Sequence, residues 1–274
     1  MIERDEPRNK QGRCAIAIMA KAPGAGRVKT RLSPLLTPDE ARDLGACFLR
    51  DMTENLALAA REAAIDPHIA FAPAGSETAF ATIVAPGTQF VLADGSHPAP
   101  PGIEGLGRCL IQAASGLHQA GYEAVGLLNA DSPTLPTALL VRAARLGAER
   151  ENRVVLGPCL DGGYYLIAMR APHAELFRAI DWSTDRVADQ TRMRADEAGL
   201  DLVELDAWYD VDDAESLRRL ITELQDHGTQ PNGPTPYAAP VTARWIRERR
   251  IHARLAPPPE RGSPPRSAAG ADRP

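Results

Sequence analysis

Seven short apolar runs recur along the chain, and stretches with helical spacing lie between several of them. The runs are CAIAIMA, PHIAFAP, TQFVLAD, AVGLLNAD, NRVVLGP, YYLIAMR and LVELDAW, the first opening at Cys14 and the last closing at Trp208. Nearly continuous apolar strands that alternate with amphipathic helices mark an α/β protein, in which a mostly parallel sheet is flanked by helices. The clearest helix signal begins at Thr37. There Thr37-Pro38-Asp39-Glu40 reads as a capping box with proline at the first helical position. Ala41, Leu44, Phe48, Met52 and Leu56 follow at intervals of three or four and form one apolar face. Further helices are expected over 108–120, 137–150 and 213–224, and no internal repeat is present.

With 274 residues the chain accommodates one sizeable α/β domain or two small ones. Residues 1–12 read as a disordered leader and 13–225 as the domain. Residues 226–274 read as a linker, a short basic helix and a disordered Pro-rich tail. The helix, VTARWIRERRIHARL over 241–255, docks back on the domain, stays solvated or serves a partner. A net charge of −5 argues against a nucleic-acid partner, but leaves room for a small phosphorylated ligand in a local positive pocket. Cys14, Cys47, Cys109 and Cys159 are widely spaced and read as ordinary thiols of a reducing cytosol. The run from Cys14 to Ala20 is too short for a signal peptide core or a membrane span, so a cytoplasmic protein is expected.

Four segments could carry chemistry. The first, AIMAKAPGAGRVKTRLSP, places Lys21, Arg27, Lys29 and Arg31 around Gly24 and Gly26, directly behind the first apolar run. Glycines let backbone N–H groups approach a phosphate, and the cations neutralise its charge. The spacing is neither a Walker A loop nor G-x-G-x-x-G, and a merely solvated surface loop is the alternative. The second is GLLNADSPTLP. Asp131 closes an apolar run, with Pro133 and Pro136 forcing a turn, so its carboxylate should project from the carboxyl edge of a strand. That placement suits a divalent cation which also touches substrate phosphates, although a turn cap is the simpler role. The third is Asp161-Gly162-Gly163 before Tyr164, either a plain hairpin turn or a loop that lets backbone approach a ligand. In the fourth, WYDVDDAESLRRL, Asp213 is a credible helix cap ahead of Glu215 and Ser216. Asp210 and Asp212 share one side of an extended segment and could add a second carboxylate to a metal. No nucleophilic triad is apparent: Ser132 lacks a G-x-S-x-G elbow, and the histidines have no ligand spacing.

The ordered pieces AKAPGAGRVKTRLSPLLTPDEARDL, GLGRCLIQAA, NADSPTLP, VVLGPCLDGGYYLIAMR, LFRAIDWSTDRV and YDVDDAESLRRL span about Ala15 to Leu224. In this order the chain resembles the bacterial glycosyltransferase-like family associated with arsenosugar biosynthesis, catalogued as a domain of unknown function. The resemblance implies the GT-A, Rossmann-like fold of the nucleotide-diphospho-sugar transferases. It implies a transferase that moves a sugar from a nucleotide diphosphate donor to a small acceptor, with Mg²⁺ or Mn²⁺ as cofactor. The alternative within the fold is a nucleotidylyltransferase that joins a nucleoside triphosphate to a phosphorylated small molecule. A non-catalytic nucleotide-binding or partner module of the same fold, working through the basic helix, is the alternative outside catalysis.

By the same resemblance, Gly24, Gly26, Arg27 and Lys29 match the loop around the nucleotide phosphates, to which the loop's other cations, Lys21 and Arg31, are added as phosphate-binding candidates, and Asp131 matches the metal position. Asp210 or Asp212 corresponds to the late acid that some nucleotidylyltransferases use as a second metal ligand, and Asp161, Gly162 and Gly163 match the acceptor-side loop, with Tyr164 next to it as a further acceptor candidate. Asp161 and Lys29 are the catalytic candidates, while Trp182, Ser183 and Thr184 match a segment without an assigned role. The chain departs from the family pattern at Asn129 and Ala130, and in GIEGLGR, which lacks the commoner Gln and Asp before Leu106-Gly107.

Overall fold

The computed structural model describes residues 10–24, 29–226 and 233–255. All seven apolar runs become strands: β1 (Cys14–Lys21), β2 (Ile65–Ala72), β3 (Gln89–Leu92), β4 (Ala124–Leu128), β5 (Arg153–Pro158), β6 (Tyr164–Met169) and β7 (Asp201–Glu204). They form one sheet in the order β3-β2-β1-β4-β6-β5-β7. Only β6 runs antiparallel to its neighbours, pairing Leu127 with Ile167 on one side and Leu156 with Ile167 on the other. The mostly parallel α/β architecture expected from the apolar runs is therefore the observed one.

The helices are α1 (Pro38–Ala59), α2 (Leu106–Gln119), α3 (Thr137–Glu149), α4 (Val187–Glu197), α5 (Ala214–Gln225), α6 (Pro240–Glu248) and α7 (Ile251–Leu255). Side chains alternate across the sheet, so one strand feeds two cores. From β1, Ile16 and Ile18 pack with Leu44, Phe48 and Met52 of α1, whereas Ala15 and Ala17 pack with Leu110 and Ala114 of α2. Thr37 caps α1 as expected: its hydroxyl accepts from Glu40 N at 3.2 Å, and Glu40 accepts from Thr37 N at 3.0 Å. Asp213 caps α5 by accepting from Glu215 N and Ser216 N. The sequence reading omitted α4, because only Val187, Ala188, Thr191 and Ala195 of that mostly charged segment turn inward.

The basic segment forms two helices, because Arg250 adopts a left-handed conformation (φ 52°) between them. It packs against α1 and α5, burying Ile246 and Ile251. Asp51 of α1 is fully buried and accepts from Val241 N at 3.0 Å and Thr242 N at 2.7 Å, holding the first turn of α6. Arg254 closes the far end on Glu40 at 2.8 and 2.9 Å, and its guanidinium holds the Glu40 carboxyl down at about 2. Removing the Asp51 carboxylate leaves two buried N–H groups without a partner. Asp51→Ala should therefore cost about 2 kcal/mol in urea unfolding, with Asp51→Asn recovering part of the loss. An unchanged midpoint would show that α6 is not needed for the stability of the domain. The leader up to residue 9, the linker residues 227–232 and the tail from 256 lie outside the described residues. No helix among the described residues is long and apolar enough to cross a membrane.

Candidate functional site

Going along the chain, the sheet is extended from β1 in one direction by β2 and β3, and in the other by β4. The ends of β1 and β4 thus flank the point where strand order reverses, and an open parallel sheet offers a ligand crevice there. Ile18 of β1 pairs with Leu128 of β4, so the segments after Lys21 and after Leu128 leave the sheet side by side.

The turn after β4 is stitched to the segment before α5. Asn129 Nδ2 donates to Ser132 Oγ at 3.1 Å, Ser132 Oγ donates to the Tyr209 carbonyl at 3.0 Å, and Val211 N donates to the Asp131 carbonyl at 2.9 Å. These bonds bring Asp131 and Asp212 together, a meeting that spacing alone does not reveal. Between them lies the Lys29 ammonium, 2.6 Å from Asp131 Oδ1, 3.1 Å from Asp212 Oδ1 and 2.6 Å from the Val211 carbonyl. The Lys29 side chain is only 4% exposed and rests over the Phe48 ring, whereas the two carboxylates keep 35% and 42% of their surface. The lysine is enclosed and its acidic partners face the cleft.

Two cavities meet at this pair. One, of about 290 Å³, lies against α1, and Lys21, Lys29 and Arg42 give it a basic lining. The other, of about 580 Å³, opens toward the β5–β6 hairpin and α4; Asp161, Tyr164, Trp182 and Asp210 line it. Asp131 and Asp212 line both. Of the expected phosphate loop, Lys21 and Lys29 line the first cavity and exposed Arg31 the second, while Gly26 and Arg27 lie outside the described residues. Gly24 ends the described part of the loop.

Asp210 does not join Asp212 on Lys29 but faces the hairpin. A parallel bridge between Cys159 and Trp208 draws the two segments together, and one ligand atom each of Cys159, Asp161 and Asp210 lies within 4.8 Å of the others. Burial pushes the Asp210 carboxyl up to about 7, with Asp161, Asp212 and Asp131 adding repulsion. Burial likewise pushes Asp131 up, against the pull of Lys29. The Cys159 thiol is pushed well above its ordinary range by burial and by the same acids. The sequence reads Cys159 as an ordinary thiol; its place beside Asp161 and Asp210 comes from the turn after β5 and the bridge to Trp208.

The hairpin turn itself uses one Asp161 oxygen, which accepts from Gly163 N at 2.9 Å. Gly162 is left-handed (φ 90°), and its carbonyl accepts from Ala188 N at 2.9 Å, tying the turn to the start of α4. Trp182, which had no assigned role, donates its indole N–H to the Glu104 carbonyl at 3.1 Å and stands edge-on to Tyr164 at 6.5 Å. Ala179 and Ser183 on either side of it are also left-handed (φ 49° and 65°), so the tryptophan sits in a strained segment of the wall. The Tyr164 hydroxyl is buried with no hydrogen-bond partner among the described residues.

Residues 55–184 match the model of a family described as an uncharacterized protein conserved in bacteria, DUF2064. The structure is similar to that of a presumed nucleotide-diphospho-sugar transferase from Desulfovibrio desulfuricans, with a TM-score of 0.71 and 27% identity over 88% of this chain and 96% of that one. It is less similar to CMP:2-keto-3-deoxy-manno-octonic acid synthetase in complex with CTP, with a TM-score of 0.48 and 13% identity over 78% of this chain and 99% of that one. For Rv0371C of Mycobacterium tuberculosis in complex with manganese, the TM-score is 0.38 and the identity 18%, over 77% of this chain and 98% of that one. No curated protein matches the chain. The fold is the GT-A-like one of nucleotide-diphospho-sugar transferases.

Proposed function

We propose that the protein is a metal-dependent transferase that takes a sugar from a nucleotide diphosphate donor and passes it to a small acceptor. The observation that carries this reading is the Asp131–Lys29–Asp212 cluster at the junction of a basic and an acidic-aromatic cavity. Donor phosphates suit the basic side, beside Lys21 and Arg42, and an acceptor suits the other. The carboxylates of Asp131 and Asp212 are hard oxygen donors with open faces, and Asp210 lies close by, a set that fits Mg²⁺ or Mn²⁺. A bound ion supplies charge neutralisation at diphosphate oxygens.

The chain's own residues do the rest. Lys29 holds the two acids in place, a positioning role that leaves its ammonium enclosed rather than free. Asp161 can accept the proton of an acceptor hydroxyl as that oxygen bonds to the anomeric carbon and the bond to diphosphate breaks. Positioning and local charge are the main sources of rate in such a site. Calorimetry with nucleotide sugars and nucleoside triphosphates, each with Mg²⁺ or Mn²⁺, tests the reading. Metal-dependent binding of one nucleotide sugar supports it. Exclusive preference for a triphosphate replaces it with nucleotidylyl transfer, for which the cation density of the first loop is the favouring feature.

The raised Asp210 carboxyl gives a pH prediction. In the metal-free protein it is protonated below about 7 and charged above. Its folded value lies above the unfolded one, so its contribution to stability declines as pH rises from about 4 to 7. Metal favours the charged form. Affinity for Mn²⁺ should therefore rise with pH through 7 and level off beyond about 8, with proton release visible in calorimetry across buffers of different ionisation enthalpy. A flat profile would remove Asp210 from the metal's neighbourhood.

A further inference from the structure

The second cavity carries Asp131, Asp161, Asp185, Asp210 and Asp212, against Arg31 as the one cation among its described lining residues. Lys29 and a divalent ion offset Asp131 and Asp212, which leaves Asp161, Asp185 and Asp210 facing a single arginine. A helix N-terminus is the usual backbone site for a phosphate, and α4 begins at this wall. Its Ala188 N–H, however, is already given to the Gly162 carbonyl. In the aromatic part of the wall, the Tyr164 hydroxyl, without a partner among the described residues, is buried away from the surface. The Trp182 indole N–H is spent on Glu104, which fixes the ring and leaves its carbon surface to the cavity. Aromatic carbon of this kind packs against sugar C–H groups or attracts an ammonium.

We infer that the acceptor is a hydroxyl-bearing small molecule of zero or positive charge, such as a sugar or amino sugar, and that phosphorylated acceptors are turned away. The inference rests on the sugar-transfer reading and narrows it: a nucleotidylyltransferase working on a phosphorylated partner would need cations where this wall carries carboxylates. A phosphate dianion brought among these acids meets repulsion that a neutral hydroxyl compound does not.

The test uses the full chain with Mg²⁺ and four probes, namely glucose, glucosamine and the 6-phosphate of each, with binding followed by saturation-transfer NMR. Nucleotide binding is measured by calorimetry on the same preparation. Each unphosphorylated probe should bind at least about tenfold tighter than its phosphate. Trp182→Ala should weaken glucose and glucosamine together. Asp185→Asn should narrow the gap by improving the phosphates more than their parents, with nucleotide binding in the first cavity unchanged. A phosphate ester that binds as tightly as its parent overturns the inference, as does nucleotide binding with no response from any of the four probes. Absence of nucleotide binding alongside an intact preference for unphosphorylated probes would overturn the donor reading instead and leave the charge preference of the cavity standing.

Discussion

Asp131→Asn should reduce metal-dependent nucleotide binding by about a hundredfold or more and leave the melting temperature nearly unchanged. The substitution keeps the shape of the side chain and an oxygen facing Lys29, which still pairs with Asp212 at 3.1 Å and with the Val211 carbonyl. It removes a carboxyl that burial pushes up, so the lost ion pair is offset by a smaller desolvation cost and the net change should be within about 1 kcal/mol. A metal ion meets the opposite balance. It loses a charged ligand at the point both cavities share, and Lys29, no longer balanced by two acids, opposes its approach. Calorimetry with Mn²⁺ and a nucleotide separates the two effects when paired with thermal unfolding of the metal-free variant. Retained affinity would place the metal elsewhere, with Cys159, Asp161 and Asp210 as the next group to test.

Gly162→Ala should be far more damaging than a methyl at Gly163 in the same hairpin turn. Gly162 has a left-handed backbone, which costs alanine about 1–2 kcal/mol, and an added Cβ would overlap the Asp185 carbonyl oxygen. That overlap involves backbone rather than a flexible side chain, so relief requires the hairpin and the start of α4 to part, with loss of the Ala188–Gly162 hydrogen bond. A total of about 2–4 kcal/mol is expected in denaturant unfolding, together with displacement of Asp161. If Asp161 is the proposed base, activity should fall further than stability does, because a base needs a fixed position. A variant of normal stability and activity would show that the hairpin can leave α4 without consequence.

Much of the fold was legible because burial on both faces of a central sheet writes itself as apolar runs, and Thr37 and Asp213 mark helix starts chemically. The helix α4 was not, since four small inward residues among charged ones leave too weak a periodicity. Nor was the break at Arg250, where a non-glycine residue takes a left-handed conformation that nothing in the local composition announces. Asp131, Asp161, Asp210 and Asp212 stood out by their position after apolar runs or before a helix. Their grouping was hidden, because it depends on backbone hydrogen bonds such as Val211 to Asp131 between segments far apart in the chain. Lys29 drew notice as one cation among four; its enclosure by two carboxylates is a fact of tertiary structure alone.

The reversed direction of β6 has a consequence for how such a protein can diversify. Because β6 runs against β5, the two join through a tight turn at the same edge of the sheet where β4 delivers Asp131. A parallel strand in that position would have needed a crossover helix and would have entered from the opposite edge. Most of the second cavity's lining therefore falls between Asp161 and Val187, a span that contributes nothing to the first cavity, where Lys21 and Arg42 lie. Under the proposed sugar transfer, exchange of that span between homologous chains changes the acceptor side without disturbing the donor side, provided Gly162 travels with Asp185, against whose carbonyl it packs.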